Sequence, residues 1–238
     1  MVAKKLPYKN IAGITPCPGG WLVLPARLAG ITVSAEDAFV LRKLLDVLDF
    51  RPTFDAAAIN APMGLFDAPS GQYRPCDRDA RDYVGWPRMV AINGTPSRAA
   101  IDASNRKVMD IEPWMTKHDM RRLRWVREAA RELQPYHSRS FFSAHPDVSF
   151  TAMNSDEPLG TSPYHEDGRL QRLELIRERL PGVDDVVTRT PPDGAGGVHM
   201  LQAAALLFTA RRASGHGISR MPIDPMWDDT GIRMEIVR

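Results

Sequence analysis

The run "FDAAAINAPMGLF" at 54–66 constrains the fold more than any other stretch. Ala57–Ala61 reads as a strand with no polar side before Asn60. A strand that faces water on one side alternates apolar with polar residues. One that does not alternate belongs in a sheet covered on both faces. It ends at Asn60-Ala61-Pro62, and the Pro, Gly and Asp beyond it make a loop.

The stretch "NIAGITPCPGGWLVLP" supplies companions for this strand. Ile11–Ile14 read as a buried strand, Pro16–Gly20 as a tight turn and Trp21–Leu24 as the returning strand. The hairpin presents Thr15 at a strand end. Residues 21–33 alternate well enough for two strands joined near Arg27–Gly30. Ser34 then reads as an N-cap, with Asp37 completing a capping-box variant. Ala38, Leu41, Leu44, Leu45 and Leu48 follow at helical spacing, which predicts an amphipathic helix over 35–49. Segment 67–115 is the least regular, with one helix from Cys76 to Tyr83. Further helices are predicted over 117–134, 168–180 and 197–213, and strands at "SFFSAH" and "IRMEIV".

Ile11–Ile14, Trp21–Pro25, Gly30–Val33, Ala57–Asn60 and Phe141–Ala144 are therefore expected in one sheet, the first three antiparallel. The class is α/β, a mixed sheet with helices on both faces, in one domain over residues 1–238. A chain of 238 residues is long enough to bury a substantial core.

Charge narrows the partners. Thirty-one Lys and Arg against 29 Asp and Glu leave a formal charge of +2, too mild to imply nucleic-acid binding without a clustered basic face. Cys17 and Cys76 stand far apart and match no zinc spacing. They suit free thiols in a reducing compartment, with a single disulfide as the alternative. The opening "MVAKKLPYKN" is basic but no apolar run follows, so neither a signal peptide nor a membrane span is expected. The expected location is cytoplasmic.

Seven stretches, in order and spanning nearly the whole chain, carry a family resemblance. They are "GGW" at 19–21, "PMGL" at 62–65, "CDRDAR" at 76–81, "HPDVSF" at 145–150, "GRLQRLELI" at 168–176, "AAALLFTARR" at 203–212 and "DDTGIRMEIV" at 228–237. With them the chain resembles the family called domain of unknown function 429, for which a nuclease of ribonuclease H-like fold is predicted. The resemblance implies a five-stranded mixed sheet flanked by helices, with acids at strand ends and on the last helix.

At those acid positions this sequence departs from the family pattern. Thr15 stands where the first strand usually carries Asp, Asn60 where the buried strand presents Asp, and Gln202 lies in a last-helix run that has lost its paired acids. Ser143 replaces a glutamate, and paired lysines are missing near 163–165. Lys117 and Asp147 are retained. Nucleases of that fold use two divalent ions flanking the scissile phosphate, and Mg²⁺ needs carboxylates. Three lost acids remove about three negative charges from such a site. The expectation is a degenerate, non-cleaving homologue that binds a ligand, a nucleic acid or a protein, without a cofactor. The alternative is an active nuclease that uses Mg²⁺ or Mn²⁺ on substitute acids such as Asp67, Asp77, Asp147 or Asp224.

The candidate binding residues are thus Thr15, Asn60, Lys117, His145, Asp147 and Gln202, with nucleic acid or a phosphate-bearing ligand as partner. Each also has a plainer reading. Asn60 and Gln202 are shape mimics of the lost acids, or polar residues capping a strand and facing a helix groove. His145 is a base or ligand, or fixes the loop before Pro146. Lys117 holds a phosphate, or is a solvated lysine at a helix start. Helix 117–134 carries Arg121, Arg122, Arg124, Arg127 and Arg131 beside Trp125. That is a backbone-tracking face, or a solvated one paired with Asp119, Glu128 and Glu132. "PPDGAGG" at 191–197 reads as a flexible loop, and Asp184 and Asp185 as a surface turn.

Overall fold

A computed structural model describes residues 7–238; the basic opening at 1–6 lies outside the described residues. The strands are β1 Lys9–Cys17, β2 Gly20–Ala29, β3 Thr32–Ala35, β4 Phe39–Leu41, β5 Ala56–Ile59, β6 Phe141–Ser143, β7 Arg220–Met221 and β8 Ile236–Val237. The helices are α1 Leu44–Leu48, α2 Pro75–Val84, α3 Arg98–Asp102, α4 Asn105–Ile111, α5 Lys117–Glu132, α6 Pro146–Met153, α7 Glu166–Arg179, α8 Val183–Val187 and α9 Gly197–Ser214. The class is α/β, built on a mixed sheet of six strands.

The sheet order is β3-β2-β1-β5-β6, with β4 on the free edge of β2. β1 and β2 are antiparallel, and β1, β5 and β6 run parallel. The five expected strands all lie in it. β7 and β8 form a separate two-stranded ribbon, so the closing "IRMEIV" reaches strand form only at Ile236–Val237.

Alternation along the strands divides the core. Ile11, Leu22, Leu24, Ala56 and Ala58 face a cluster built with α6 to α9. Ala12, Ile14, Trp21, Val23, Ala57 and Ile59 face one built with α1 and α5. Both faces of β5 are therefore covered, which is why Ala56–Ile59 has no polar side. α9 is apolar on most sides because it is buried on most sides. It lies so close to β1 that a Cβ on Gly13 would sit 1.9 Å from the Ala203 carbonyl oxygen.

The expected helix over 35–49 is wrong for its first half. Ser34 lies in β3, and Phe39–Leu41 forms β4, leaving a helix only over Leu44–Leu48. β3 pairs with β2 over Ala26–Ala29 alone. The edge of β2 at Trp21–Val23 would be left with unpaired backbone groups, and Phe39–Leu41 fills it. Helical spacing of leucines did not reveal this demand. β3 also starts two residues later than expected, after a turn at Gly30, whose φ is +60°.

Segment 67–115 holds four short helices rather than one: α2, a 3-10 turn at Arg88–Ala91, α3 and α4. Two charged residues organise it. Arg74 is buried and donates to the Met63 and Gly64 carbonyls and to both oxygens of Asp77. Asp228 accepts from the backbone N–H groups of Leu65, Thr230 and Ile232. Together they pin the loop after β5. Cys17 and Cys76 are free and buried in different clusters, so the disulfide alternative falls away. Among the described residues no helix is long and apolar enough to cross a membrane.

Candidate functional site

β1 and β5 run parallel, so their C-terminal ends emerge on the same side. Asn60 follows β5 directly and Thr15 lies beside it on the face that meets α9; Thr15 is inside β1 rather than at its end, because pairing with β2 continues to Cys17 and the turn shrinks to Pro18-Gly19. The Thr15 hydroxyl donates to the Gln202 Oε1 at 3.2 Å, and the Asn60 amide donates to Thr15 Oγ1 at 3.4 Å. Three positions separated widely in sequence thus converge. Thr15 is completely buried, and Asn60 and Gln202 open onto a cleft of about 420 Å³.

The cleft's second wall comes from α5. His118, Arg122 and Trp125 line it at spacings of four and three residues, which places them on one helical stripe. Two other α5 arginines have structural tasks. Arg124 donates to the Pro18 carbonyl at 3.0 Å, and Arg127 to those of Ile101 and Ala103 at 2.7 and 2.6 Å. Glu128 accepts from the Trp21 indole at 2.9 Å and from the Leu44 N–H at 2.5 Å. Among the described residues the expected acid pairing along α5 does not form: carbonyls and N–H groups of other segments take Arg124, Arg127 and Glu128, and Asp119 accepts from the Thr116 N–H at the helix start.

The third wall joins α6, α7 and the 3-10 turn through Asp147. Arg172 is fully buried and donates to one Asp147 oxygen at 3.0 Å and to the carbonyls of Thr161 and Gly168. Arg88 binds Asp147 from the other side, at 3.3 and 2.9 Å. Burial alone would raise the Asp147 pKa. The Arg88 hydrogen bonds, with His145 and Arg172, hold it below the ordinary carboxylate value. Asp147 is therefore a brace between two guanidiniums. Arg172 spends both Nη1 hydrogens on carbonyls and Nη2 on Asp147, whereas among the described residues the Arg88 Nη1 engages no side chain or carbonyl.

His145 caps α6: its Nδ1 accepts from the Asp147 N–H at 3.2 Å. Burial lowers its pKa against the pull of Asp147, so it is neutral at pH 7. His199 likewise caps α9, accepting from the Gly196 N–H at 3.0 Å, and burial lowers its pKa too. Lys117, the first residue of α5, is exposed and does not line the cleft; its neighbour His118 does. Ser143 donates to the Ala61 carbonyl at 2.8 Å and steadies the strand end. The 191–197 loop, expected to be flexible, is tied down: the Gly19 N–H donates to the Gly194 carbonyl at 2.9 Å. Asp184 belongs to α8 and pairs with Arg177 at 3.0 Å.

Arg122 differs from its neighbours. It is half-buried, yet among the described residues it makes no side-chain hydrogen bond and no ion pair. Burial lowers its pKa, opposed only by the charges of Asp119 and Asp77. Sequence reasoning placed Arg122 within a basic face and overlooked Arg88 and Arg172 altogether. Arg172 had left a signal. In "GRLQRLELI" it stands four residues from Gly168 and four from Ile176, the register of the buried face. Arg88 lies in irregular chain, where no periodicity marks it.

The fold and this cleft define an α/β protein with a polar, arginine-rich pocket at the strand ends. The family described as a protein of unknown function (DUF429) matches residues 13–226, and the chain belongs to it. No curated protein and no solved structure matches the chain.

Proposed function

We propose that this protein is a non-cleaving member of a ribonuclease H-like lineage that binds a phosphate- or carboxylate-bearing ligand in the cleft between β1, β5, α5 and α9. Arg122 carries the reading. A guanidinium partly withdrawn from water without a bonded counter-ion is unfavourable, and an anion seated beside it and the free edge of Arg88 offsets that. Thr15, Asn60 and Gln202 bring neutral hydrogen-bonding groups to the same place. They do not fit Mg²⁺ or Mn²⁺, which need carboxylate oxygens: they engage one another, and Asp147 is neutralised by two arginines.

The active-nuclease alternative has less support. Asp77 is paired with buried Arg74 and Asp67 with Arg98, and Asp224 is exposed and does not line the cleft. The direct test is isothermal titration with inorganic phosphate. Binding is expected for the natural protein and a loss of at least tenfold for Arg122→Gln. Phosphate affinity unaffected by Arg122→Gln, or metal-dependent nucleic-acid cleavage abolished by EDTA, would overturn the proposal.

A further inference from the structure

We infer that the ligand carries a planar heteroaromatic ring beside its anionic group, as a nucleoside monophosphate does. The inference rests on the anion-binding reading above and names the class of molecule that fits it.

Two observations point to a ring. The first is aromatic. Trp125 lies three residues after Arg122 on the same stripe of α5, so an indole and a guanidinium share one wall. The indole is fixed in orientation: its N–H donates to the Gly20 carbonyl at 3.2 Å, and the Arg124 guanidinium lies 4.1 Å from its ring. At the cleft mouth Tyr164 is 77% exposed, and its hydroxyl has no partner among the described residues. A fixed aromatic inside and a free one at the mouth suit a base that stacks.

The second observation is the polarity of the amides. Thr15 has one hydroxyl proton, which it gives to Gln202 while accepting from Asn60. The Asn60 oxygen, its second N–H and the Gln202 amino group are left, an acceptor beside donors. Reversing both amides exchanges their roles and still leaves an acceptor beside donors. A bare phosphate or carboxylate uses donors only, and an amide oxygen turned toward it repels it. The edge of a heteroaromatic base presents donors and acceptors together. A cleft of about 420 Å³ lies within the ordinary range for small-molecule sites.

The test compares three probes by isothermal titration: inorganic phosphate, ribose 5-phosphate and a panel of the four nucleoside monophosphates. At least one nucleotide is expected to bind tenfold or more tightly than ribose 5-phosphate. Tyr164→Ala, at an exposed position, should remove much of that preference, and Trp125→Leu, confirmed as folded by circular dichroism, should remove the rest. Neither should change phosphate affinity more than about twofold, whereas Arg122→Gln weakens all three probes. Equal binding of nucleotide and ribose 5-phosphate would overturn the ring and leave the anion site standing. No binding of any probe would overturn both. A nucleotide preference that survives both aromatic substitutions would place the ring elsewhere and overturn the assignment. So would a six-nucleotide single strand that binds tenfold more tightly than any monomer, which would favour a nucleic-acid strand.

Discussion

Two arginine–carboxylate groups differ in what they face: Arg74 and Asp77 line a small chamber of about 40 Å³, and Arg88, Asp147 and Arg172 line the larger cleft, while Arg122 and His145 line both. On the inner side, Arg74 and Asp77 form a closed pair at 2.8 Å. Arg74 also donates to two loop carbonyls, and Asp77 also accepts the Arg74 N–H. On the outer side, Asp147 faces two guanidiniums, and Arg122 adds a third that has no acid within bonding distance. The inner group balances its charge internally and holds a loop in place. The outer group has two positive charges in excess and opens to solvent. Charge balance, more than burial, separates a structural ion pair from a binding surface.

The largest effect is expected at Asp77. Asp77→Asn leaves a fully buried guanidinium without its counter-charge, and urea unfolding should show a loss of about 3–5 kcal/mol. A loss below about 1 kcal/mol would mean that the pair is not the brace described here.

A smaller effect is expected at Asp147, where water reaches the cleft. Asp147→Asn should cost about 2 kcal/mol, because Arg88 and Arg172 lose a shared partner. The pH dependence follows from the same contacts. The Asp147 pKa is lower folded than unfolded, so its stabilisation is present above the unfolded value, near 3.9, and is lost as pH falls through the folded value. His145 and His199 are also depressed. Their neutral forms favour the folded state above about pH 6.5, and that contribution declines as pH falls through their folded values. Unfolding measured from pH 7 to pH 2 should therefore show a loss in two stages. Asp147→Asn should remove the acidic one.

Arg122 should behave in the opposite way to Arg74. Arg122→Gln removes a desolvated charge without a partner, so stability should hold within about 1 kcal/mol or rise, while phosphate binding falls. A loss of about 3 kcal/mol would make Arg122 structural. The smallest effect is expected one residue earlier. Arg121 is exposed and does not line the cleft, so Arg121→Glu should change stability by less than about 0.5 kcal/mol and phosphate affinity by less than twofold. A large loss of affinity there would spread the positive surface beyond the Arg122 stripe.

Local pattern determined much of this protein. The unbroken apolar run of β5, the glycine turn between β1 and β2 and the amphipathic period of α5 each follow from the sequence, because period and turn chemistry act over a few residues. So did the polar character of Thr15, Asn60 and Gln202. Tertiary structure decided the rest. β4 exists because an edge of β2 needs backbone partners, a demand that no spacing within 35–49 expresses. Gln202 reaches Thr15 because Gly13 lets α9 lie against β1. Of five arginines on one helix, only Arg122 lines the cleft, and among the described residues it has no carboxylate or carbonyl partner. Whether a charge is paired depends on groups distant in the chain, and those meet only when the sheet and helices have packed.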